Sequence, residues 1–325
     1  MREALVCLSG GVDSTAAMFI CHEEWDSVRA VYLDTTGSGP PPQARESAAL
    51  LGVEMIERDS VDIFREKVRH PAEEACANGL TPNPCVMCNA TVKLASAFSM
   101  LRPGETIVTG HYAGLRASGL TRARDSGKDQ SYFLAMVPRS ILLRCAFPLG
   151  TLLKTRVREI VAGAGLPYLN RESQDLCFDL PGAGEPGDIL TMEGETVGRH
   201  PGLGGFTVGQ RRGIGAHGRP MYVVRLETAT NRLYVGEVCH LFSKGCTVRG
   251  VNDLGLPEGS AFNARVQVRS RHCAVPAAAK RIPDGFHVVF ERPQRAVAPG
   301  QTAVFYSNAD NETVLGAGVI SGAEG

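Results

Sequence analysis

The chain has 325 residues, a length that suits two or three domains. It carries 34 Lys+Arg against 34 Asp+Glu, and its 43 % hydrophobic content is enough for substantial cores, which excludes a disordered chain. Zero formal charge also excludes a uniformly basic nucleic-acid binder, though not a basic face on a neutral protein.

From the N-terminus, Ala4–Leu8, Val28–Leu33, Val53–Arg58 and Thr106–Thr109 are short β-like runs. Helical patterns lie between them at Ser14–Trp25, Gln43–Leu51, Val61–Asn78 and Ala90–Leu101. Ala4–Leu8 is shorter than the ~7–15 apolar residues of a secretory leader, and no run reaches the ~18–20 that span a bilayer. A cytoplasmic protein with no membrane partner is expected. The alternation predicts an α/β domain with a parallel sheet covered by helices on both faces, whose ligand lies at the carboxyl ends of the strands. From Pro181 glycine and proline become dense, and this stretch reads as a short linking module. Beyond Leu241 the runs Ala264–Val268, Phe286–Phe290, Thr302–Tyr306 and Thr313–Ile320 predict a small antiparallel barrel or sandwich.

Charge is partitioned along this plan. Residues 1–99 hold 8 Lys+Arg against 14 Asp+Glu, residues 102–159 hold 10 against 4, and residues 261–300 hold 7 against 2. Ordinary solvated faces would explain this, and so would a polyanion lying across two basic regions. Ten cysteines scattered through a core-rich chain do not make a disulfide scaffold. Seven sit singly, mostly among apolar neighbours; Cys85 and Cys88 form the one C-x-x-C, and Cys177 lies in the distinctive string Ser173-Gln174-Asp175-Leu176-Cys177-Phe178.

Ser9-Gly10-Gly11-Val12-Asp13-Ser14 follows the first strand and opens the first helix. Backbone amides of such a turn, with a helix dipole behind them, bind phosphate. No Lys-Ser/Thr follows the glycines and no G-x-G-x-x-G is present, so neither a Walker A loop nor a dinucleotide fingerprint fits. Thr81-Pro82-Asn83-Pro84-Cys85-Val86-Met87-Cys88-Asn89 is a rigid turn leading into a helix, where a thiol gains thiolate character. Half of a structural zinc site is the alternative, but a second ligand pair is not apparent. In Lys128-Asp129-Gln130-Ser131-Tyr132-Phe133-Leu134, Asp129 suits a helix cap. His111, in Gly110-His111-Tyr112, follows the fourth strand at the sheet edge where a nucleotide would lie.

The glycine turn resembles the PP-loop of N-type ATP pyrophosphatases. Taken in order, S-G-G-V-D-S, T-P-N-P-C-V-M-C-N, T-G-H-Y-A, K-D-Q-S-Y-F-L, F-P-L-G and S-Q-D-L-C-F resemble the tRNA-specific 2-thiouridylases (MnmA/TrmU family). The likeness continues through Gly198–Leu203, Phe206–Gly213 and Pro293–Tyr306, so it covers nearly the whole chain. It implies a HUP-like PP-loop domain over 1–180, a central tRNA-binding linker domain over 181–243 and a C-terminal tRNA-binding β-barrel over 244–325. The implied reaction uses ATP and Mg²⁺ to adenylate the C2 oxygen of the wobble uridine, and a cysteine persulfide then delivers sulfur. By position Cys177 resembles the persulfide carrier and Cys88 its nucleophilic redox partner. Cys7, Leu8, Ser9, Gly10, Gly11, Val12, Asp13, Ser14, Leu33 and Gly110 match the ATP site, with Asp13 expected to help place Mg²⁺ and pyrophosphate. Asn83, Pro84 and Cys85 match the turn that meets the target base. His111, Lys128, Asp129, Gln130, Arg269, Ser270 and Gln301 match tRNA-contacting positions. The implied partners are tRNA, through its anticodon, and a sulfur donor such as a cysteine desulfurase or a small sulfur-carrier protein.

Three departures stand out. Cys85 replaces an Asp of some members, the stretch after Phe178 is short, and Arg269-Ser270-Arg271 replaces R-Y-R, removing an aromatic that could stack on RNA. Cys85, Cys88 and Cys177 would also suffice as three ligands of a [4Fe–4S] cluster with an open iron. Two other functions remain open at this point: a PP-loop amide-forming ligase, which has no use for three thiols, and a catalytically silent tRNA-binding protein.

Overall fold

The alternating runs of the first half fold as the expected parallel sheet. The computed structural model describes residues 2–170, 178, 184–216 and 218–325. In it β1 (Glu3–Cys7), β2 (Ser27–Asp34), β3 (Glu54–Asp59) and β4 (Glu105–Val108) are followed by a hairpin, β5 (Gly114–Arg116) and β6 (Gly119–Thr121), and by β7 (Cys145–Ala146). The sheet order is β3-β2-β1-β4-β7, every pair parallel. In central β1 the consecutive residues Ala4, Leu5 and Val6 are all buried, so both faces are covered. The strand order reverses between β1 and β4, which makes their carboxyl ends the switch point where a ligand fits.

Helix α1 (Val12–Glu24) packs Ala17, Met18 and Cys21 on the sheet and turns Val12 and Ala16 toward a second cluster with Val157 and Val161. Two expected helices differ from their sequence patterns. The Val61–Asn78 pattern forms Val61–Phe64 and His70–Ala77 with a π-helical turn, Arg65–Arg69, between them. The helix expected from Ala90 begins six residues earlier, at Pro84, and runs as Pro84–Cys88, a π turn Asn89–Lys93, and Leu94–Ser99. Proline suits a first helical position because its missing N–H has no intrahelical acceptor there. The C-x-x-C therefore lies within the opening turns of a helix.

Contacts divide the chain into two compact units. One holds Met1–Val68, Cys85–Leu176 and Glu312–Val314; the other holds Arg69–Pro84, Cys177–Asn311 and Leu315–Gly325. In the second unit the Gly/Pro-rich stretch is a sheet in its own right, beyond the linking module expected. Strands β8 (Gly187–Thr191), β9 (Thr196–His200), β10 (Tyr222–Glu227) and β11 (Arg232–Gly236) are ordered β10-β11-β8-β9, with β8 and β11 parallel. Ile189, Phe206, Ile214, Val223, Leu233 and Val235 form its core.

The C-terminal strands are β12 (Phe242–Asp253), β13 (Ala261–Gln267), β14 (Val275–Ile282), β15 (Gly285–Arg295), β16 (Thr302–Tyr306) and β17 (Val314–Glu324). They close as β12-β15-β14-β13-β16-β17, so the fold is a barrel and not a sandwich. β12 and β14 lack the aromatic and β-branched enrichment that marks a strand. Their inward positions carry Cys246, Val248, Ala277 and Ala279, small enough to face Phe286 and Phe305 across a narrow interior. Among the described residues no helix is long and apolar enough to cross a membrane.

At the amino end of the parallel sheet, Arg29 of β2 grips Glu105 of β4 through two bonds, Nε–Oε1 at 2.6 Å and Nη2–Oε2 at 2.8 Å. Both side chains are less than a tenth exposed. Burial would raise the Glu105 pKa, but the Arg29 bonds and the Arg102 amide outweigh it and hold the carboxyl below its ordinary value. A depressed carboxylate pKa stabilises the fold above the unfolded-state value and is lost as pH falls through the folded value. Arg29→Leu leaves Glu105 buried without its cation and is expected to cost about 3–5 kcal/mol. Denaturant unfolding should show that loss at pH 7, narrowing toward acid where Glu105 is protonated.

Candidate active site

The loop between β1 and α1 is held from within. The Ser14 hydroxyl accepts the Ser9 amide at 3.1 Å, shares a 3.0 Å hydrogen bond with the Ser9 hydroxyl and donates to the Gly11 carbonyl at 3.0 Å. One serine thus ties both ends of the turn and leaves the first amides of α1 without intrahelical acceptors, as anion binding requires. Gly10 has φ +81°, and a Cβ there would meet Pro41 at 2.8 Å. Gly110, after β4, lies so close that its Cβ would meet the Asp13 carbonyl carbon at 2.6 Å and the Ser14 nitrogen at 2.7 Å. Two expected ATP-site glycines are therefore required by packing around the loop.

Asp13 is engaged more firmly than the sequence indicated. Lys154 Nζ lies 2.7 Å from both of its carboxylate oxygens, and the Tyr112 hydroxyl donates to Oδ1 at 2.8 Å. The Lys154 ammonium also lies 5.6 Å from the Tyr112 ring centre. Lys154 opens the helix Lys154–Gly163, which packs on α1 through Val157 and Val161, and its own amide donates to Asp125. A role for Asp13 beside Mg²⁺ requires part of this clamp to open; as arranged, the carboxylate braces the loop against a second helix. Sequence reading missed Lys154 because a lysine at the start of an amphipathic helix looks like an ordinary solvated charge.

The other expected nucleotide positions line the same edge. Cys7 ends β1, and burial pushes its thiol up to about 12, which fits a structural cysteine and not a nucleophile. Leu8 is buried and donates its amide to Val31 of β2; Leu33 lies near the end of β2. Next to it, Asp34 accepts the amides of Thr36, Gly37 and Gly39 and shapes the loop beyond the strand. His111 bonds Thr109 through Nδ1 at 2.9 Å, and burial, with Lys93 nearby, drives its pKa down to about 3, so it is neutral at physiological pH.

Several residues expected at the RNA make internal bonds. Asp129 accepts the amides of Ala123 and Ser131 and pairs with Arg122 at 2.8 Å; the N-cap position of the helix Ser131–Leu134 is Gln130 and not Asp129 as expected, and Asp129 pins the loop just ahead of it. Gln130 exchanges bonds with Tyr112 through its amide and its side-chain carbonyl. Half-buried Lys128 lies on the same loop. In the second unit, Arg269 donates to the Val208 carbonyl at 2.7 Å, and exposed Ser270 offers its carbonyl to Gln267. Gln301 donates to the carbonyls of Thr81 and Pro82, while Thr81 bonds the Pro299 carbonyl and the Thr207 hydroxyl. The turn ahead of Asn83 and Pro84 is thereby fixed by the barrel and by the segment after β9.

Cys85 and Cys88 stand three residues apart on the helix opening at Pro84, hence on one face; Cys88 is buried and Cys85 half-buried. Asn89 is buried and donates to the Phe133 carbonyl, and among the described residues its side-chain oxygen has no hydrogen-bond partner. Cys177 lies outside the described residues, as does most of the short stretch after Phe178. Among the described residues no three metal-ligating side chains gather.

Gly110→Ala should therefore displace the phosphate loop. Calorimetric titration is expected to show ATP affinity reduced at least about tenfold, the penalty of roughly 1.4 kcal/mol or more. The barrel should be undisturbed.

Three families match successive parts of the chain: the tRNA methyl transferase HUP domain over residues 2–179, the tRNA methyl transferase PRC-barrel domain over 180–237, and the aminomethyltransferase beta-barrel domain over 243–320. The tRNA-specific 2-thiouridylase MnmA of Chloroflexus aggregans is 39 % identical over an alignment of 359 residues, covering 99 % of both chains. That of Rhodospirillum rubrum is 37 % identical, covering 97 % of this chain and 95 % of its own. The alignments exceed 325 residues, so these relatives carry residues that this chain lacks. With likeness of this extent joined to a serine-braced phosphate loop at the switch point of a parallel sheet, the chain belongs to the tRNA-specific 2-thiouridylase family.

Proposed function

We propose that this protein is a tRNA-uridine 2-sulfurtransferase that activates the wobble uridine with ATP and replaces its C2 oxygen with sulfur from a persulfide on Cys177. The observation that carries the reading is the β1–α1 loop, a strand-to-helix glycine turn without a Walker lysine, on a chain whose C-x-x-C opens a helix of the same unit. In the adenylation step the uridine O2 bonds to the α-phosphorus, the bond to the β-phosphate oxygen breaks, and pyrophosphate leaves with the electron pair. The N3 proton passes to water. Mg²⁺ is assigned to the departing pyrophosphate, whose charge the loop amides alone would balance only in part.

In the sulfur step the terminal persulfide sulfur attacks C2 and AMP departs with the former O2. The Cys88 thiolate then attacks Sγ of Cys177, forming a Cys88–Cys177 disulfide and leaving C2=S; an external thiol restores both cysteines. Cys85, with Asn83 and Pro84, is assigned to the surface that meets the target base. Lys128 and Ser270 are assigned to tRNA contact, with His111 neutral beside the base. Asp129, Gln130, Arg269 and Gln301 act on the tRNA through the loops they hold. The sulfur donor is a persulfide-bearing protein, either a desulfurase or a carrier.

Cys177→Ser should abolish 2-thiouridine, detected by nucleoside mass spectrometry, while tRNA-dependent release of AMP and pyrophosphate persists. Equal loss of both would overturn the division of roles. Aerobically purified protein free of iron and labile sulfide should stay active with a persulfide donor; activity confined to iron-loaded anaerobic protein would replace the persulfide by a cluster on Cys85, Cys88 and Cys177.

The basic stretches 102–159 and 261–300 should make tRNA affinity fall steeply with salt, at least about tenfold between 50 and 200 mM for several phosphate contacts. Filter binding checks this despite the zero formal charge of the chain.

A further inference from the structure

Lys154 is committed to Asp13, and the loop Ser9–Ser14 itself carries no lysine or arginine, so among the described residues it offers the α-phosphate backbone amides. The chemistry needs a side-chain cation there, because charge develops on the α-phosphoryl oxygens as pyrophosphate departs. Lys93 is placed to supply it. It is exposed, and among the described residues it has no carboxylate partner.

Lys93 is the last residue of the π turn Asn89–Lys93. In a π turn, whose i→i+5 bonding is seen in the Leu94 amide donating to the Asn89 carbonyl, residue i+5 returns toward the side of residue i, whereas a regular α-helix would rotate it roughly 140° away; Lys93 is five residues beyond Cys88. Asn89 anchors that turn through its bond to the Phe133 carbonyl. The Asn89 oxygen, buried beside Cys88 and without a partner among the described residues, is a second sign that the turn faces a ligand. The Lys93 charge also reaches both Cys7, at the end of β1, and His111, in the loop after β4. Those two positions flank the switch point of the sheet. A cation near both, and on the Cys88 side of its helix, lies between the phosphate loop and the cysteine assigned to the base. π turns interrupting α-helices are frequent at functional sites for this reason: they redirect a side chain without ending the helix.

We propose that Lys93 is a catalytic residue of the adenylation step, its ammonium group contacting the α-phosphoryl oxygens as charge develops on them and pyrophosphate departs. Resting on the adenylation reading above, the assignment involves no covalent change at Lys93; it offsets charge on the phosphoryl oxygens and keeps its proton throughout.

The test uses the full chain with Mg-ATP and tRNA, following AMP and pyrophosphate release in wild type, Lys93→Met, Lys93→Gln and Lys93→Arg. Melting curves are to confirm folding of each variant. Lys93→Met and Lys93→Gln should lower the turnover of AMP formation about 100-fold, the scale of one lost charge-stabilising donor. ATP and tRNA affinities should stay within about threefold of wild type, and Lys93→Arg should recover about tenfold of the lost rate. Turnover within about threefold of wild type in both neutral variants would overturn the assignment, as would a loss matched by an equal fall in tRNA affinity. Wild-type protein that makes 2-thiouridine without releasing AMP would overturn the adenylation reading itself and this inference with it.

Discussion

The bond between Lys154 and Asp13 is the interaction on which the nucleotide edge depends. A phosphate loop must keep its amides unpaired, so it cannot be stiffened by the hydrogen bonds that stiffen other backbone. Here the stiffness comes from side chains. Ser14 closes the turn from inside, and Asp13 ties the first turn of α1 to the helix Lys154–Gly163 and to Tyr112. Gly110 lets the segment after β4 lie directly on the same peptide group. The result is a set of donors whose positions are determined before any anion arrives, which is what makes such donors effective.

The same economy governs the residues that family resemblance places at the RNA. Asp129, Gln130, Arg269 and Gln301 each spend their polar atoms on backbone or on a neighbouring side chain. A side chain that must present a loop to a large, flexible polyanion gains from holding the loop in one conformation, because ordering it on binding would cost free energy at that moment. The excess of lysine and arginine lies in residues 102–159 and 261–300, and the acidic excess of residues 1–99 offsets it, so the whole chain is neutral.

The two π turns show how local geometry departs from the period of the sequence. Each interrupts a sequence whose apolar period is helical, and each shifts the phase of the helical residues beyond it. In the helix that opens at Pro84 the turn ends at exposed Lys93, five residues beyond buried Cys88. Read with a period of 3.6, Lys93 belongs to the solvent face and carries no signal.

Much of this architecture is legible in the amino-acid order alone. Alternating β and helical periods specify a parallel sheet, because central runs such as Ala4–Leu8 are too hydrophobic to be covered on one face only. Ser9–Ser14 announces an anion site, since few other combinations of glycine and hydroxyl residues suit a strand-to-helix turn. The barrel was only half visible: β12 and β14 place cysteine, valine and alanine at positions made inward by closure, so their pattern carries little hydrophobic contrast. Tertiary structure decided the rest. The commitment of Lys154 to Asp13 spans 141 residues, and that of Gln301 to Thr81 spans 220. No local period encodes such pairings, because they arise only when packed helices and a closed barrel bring distant side chains within hydrogen-bond reach.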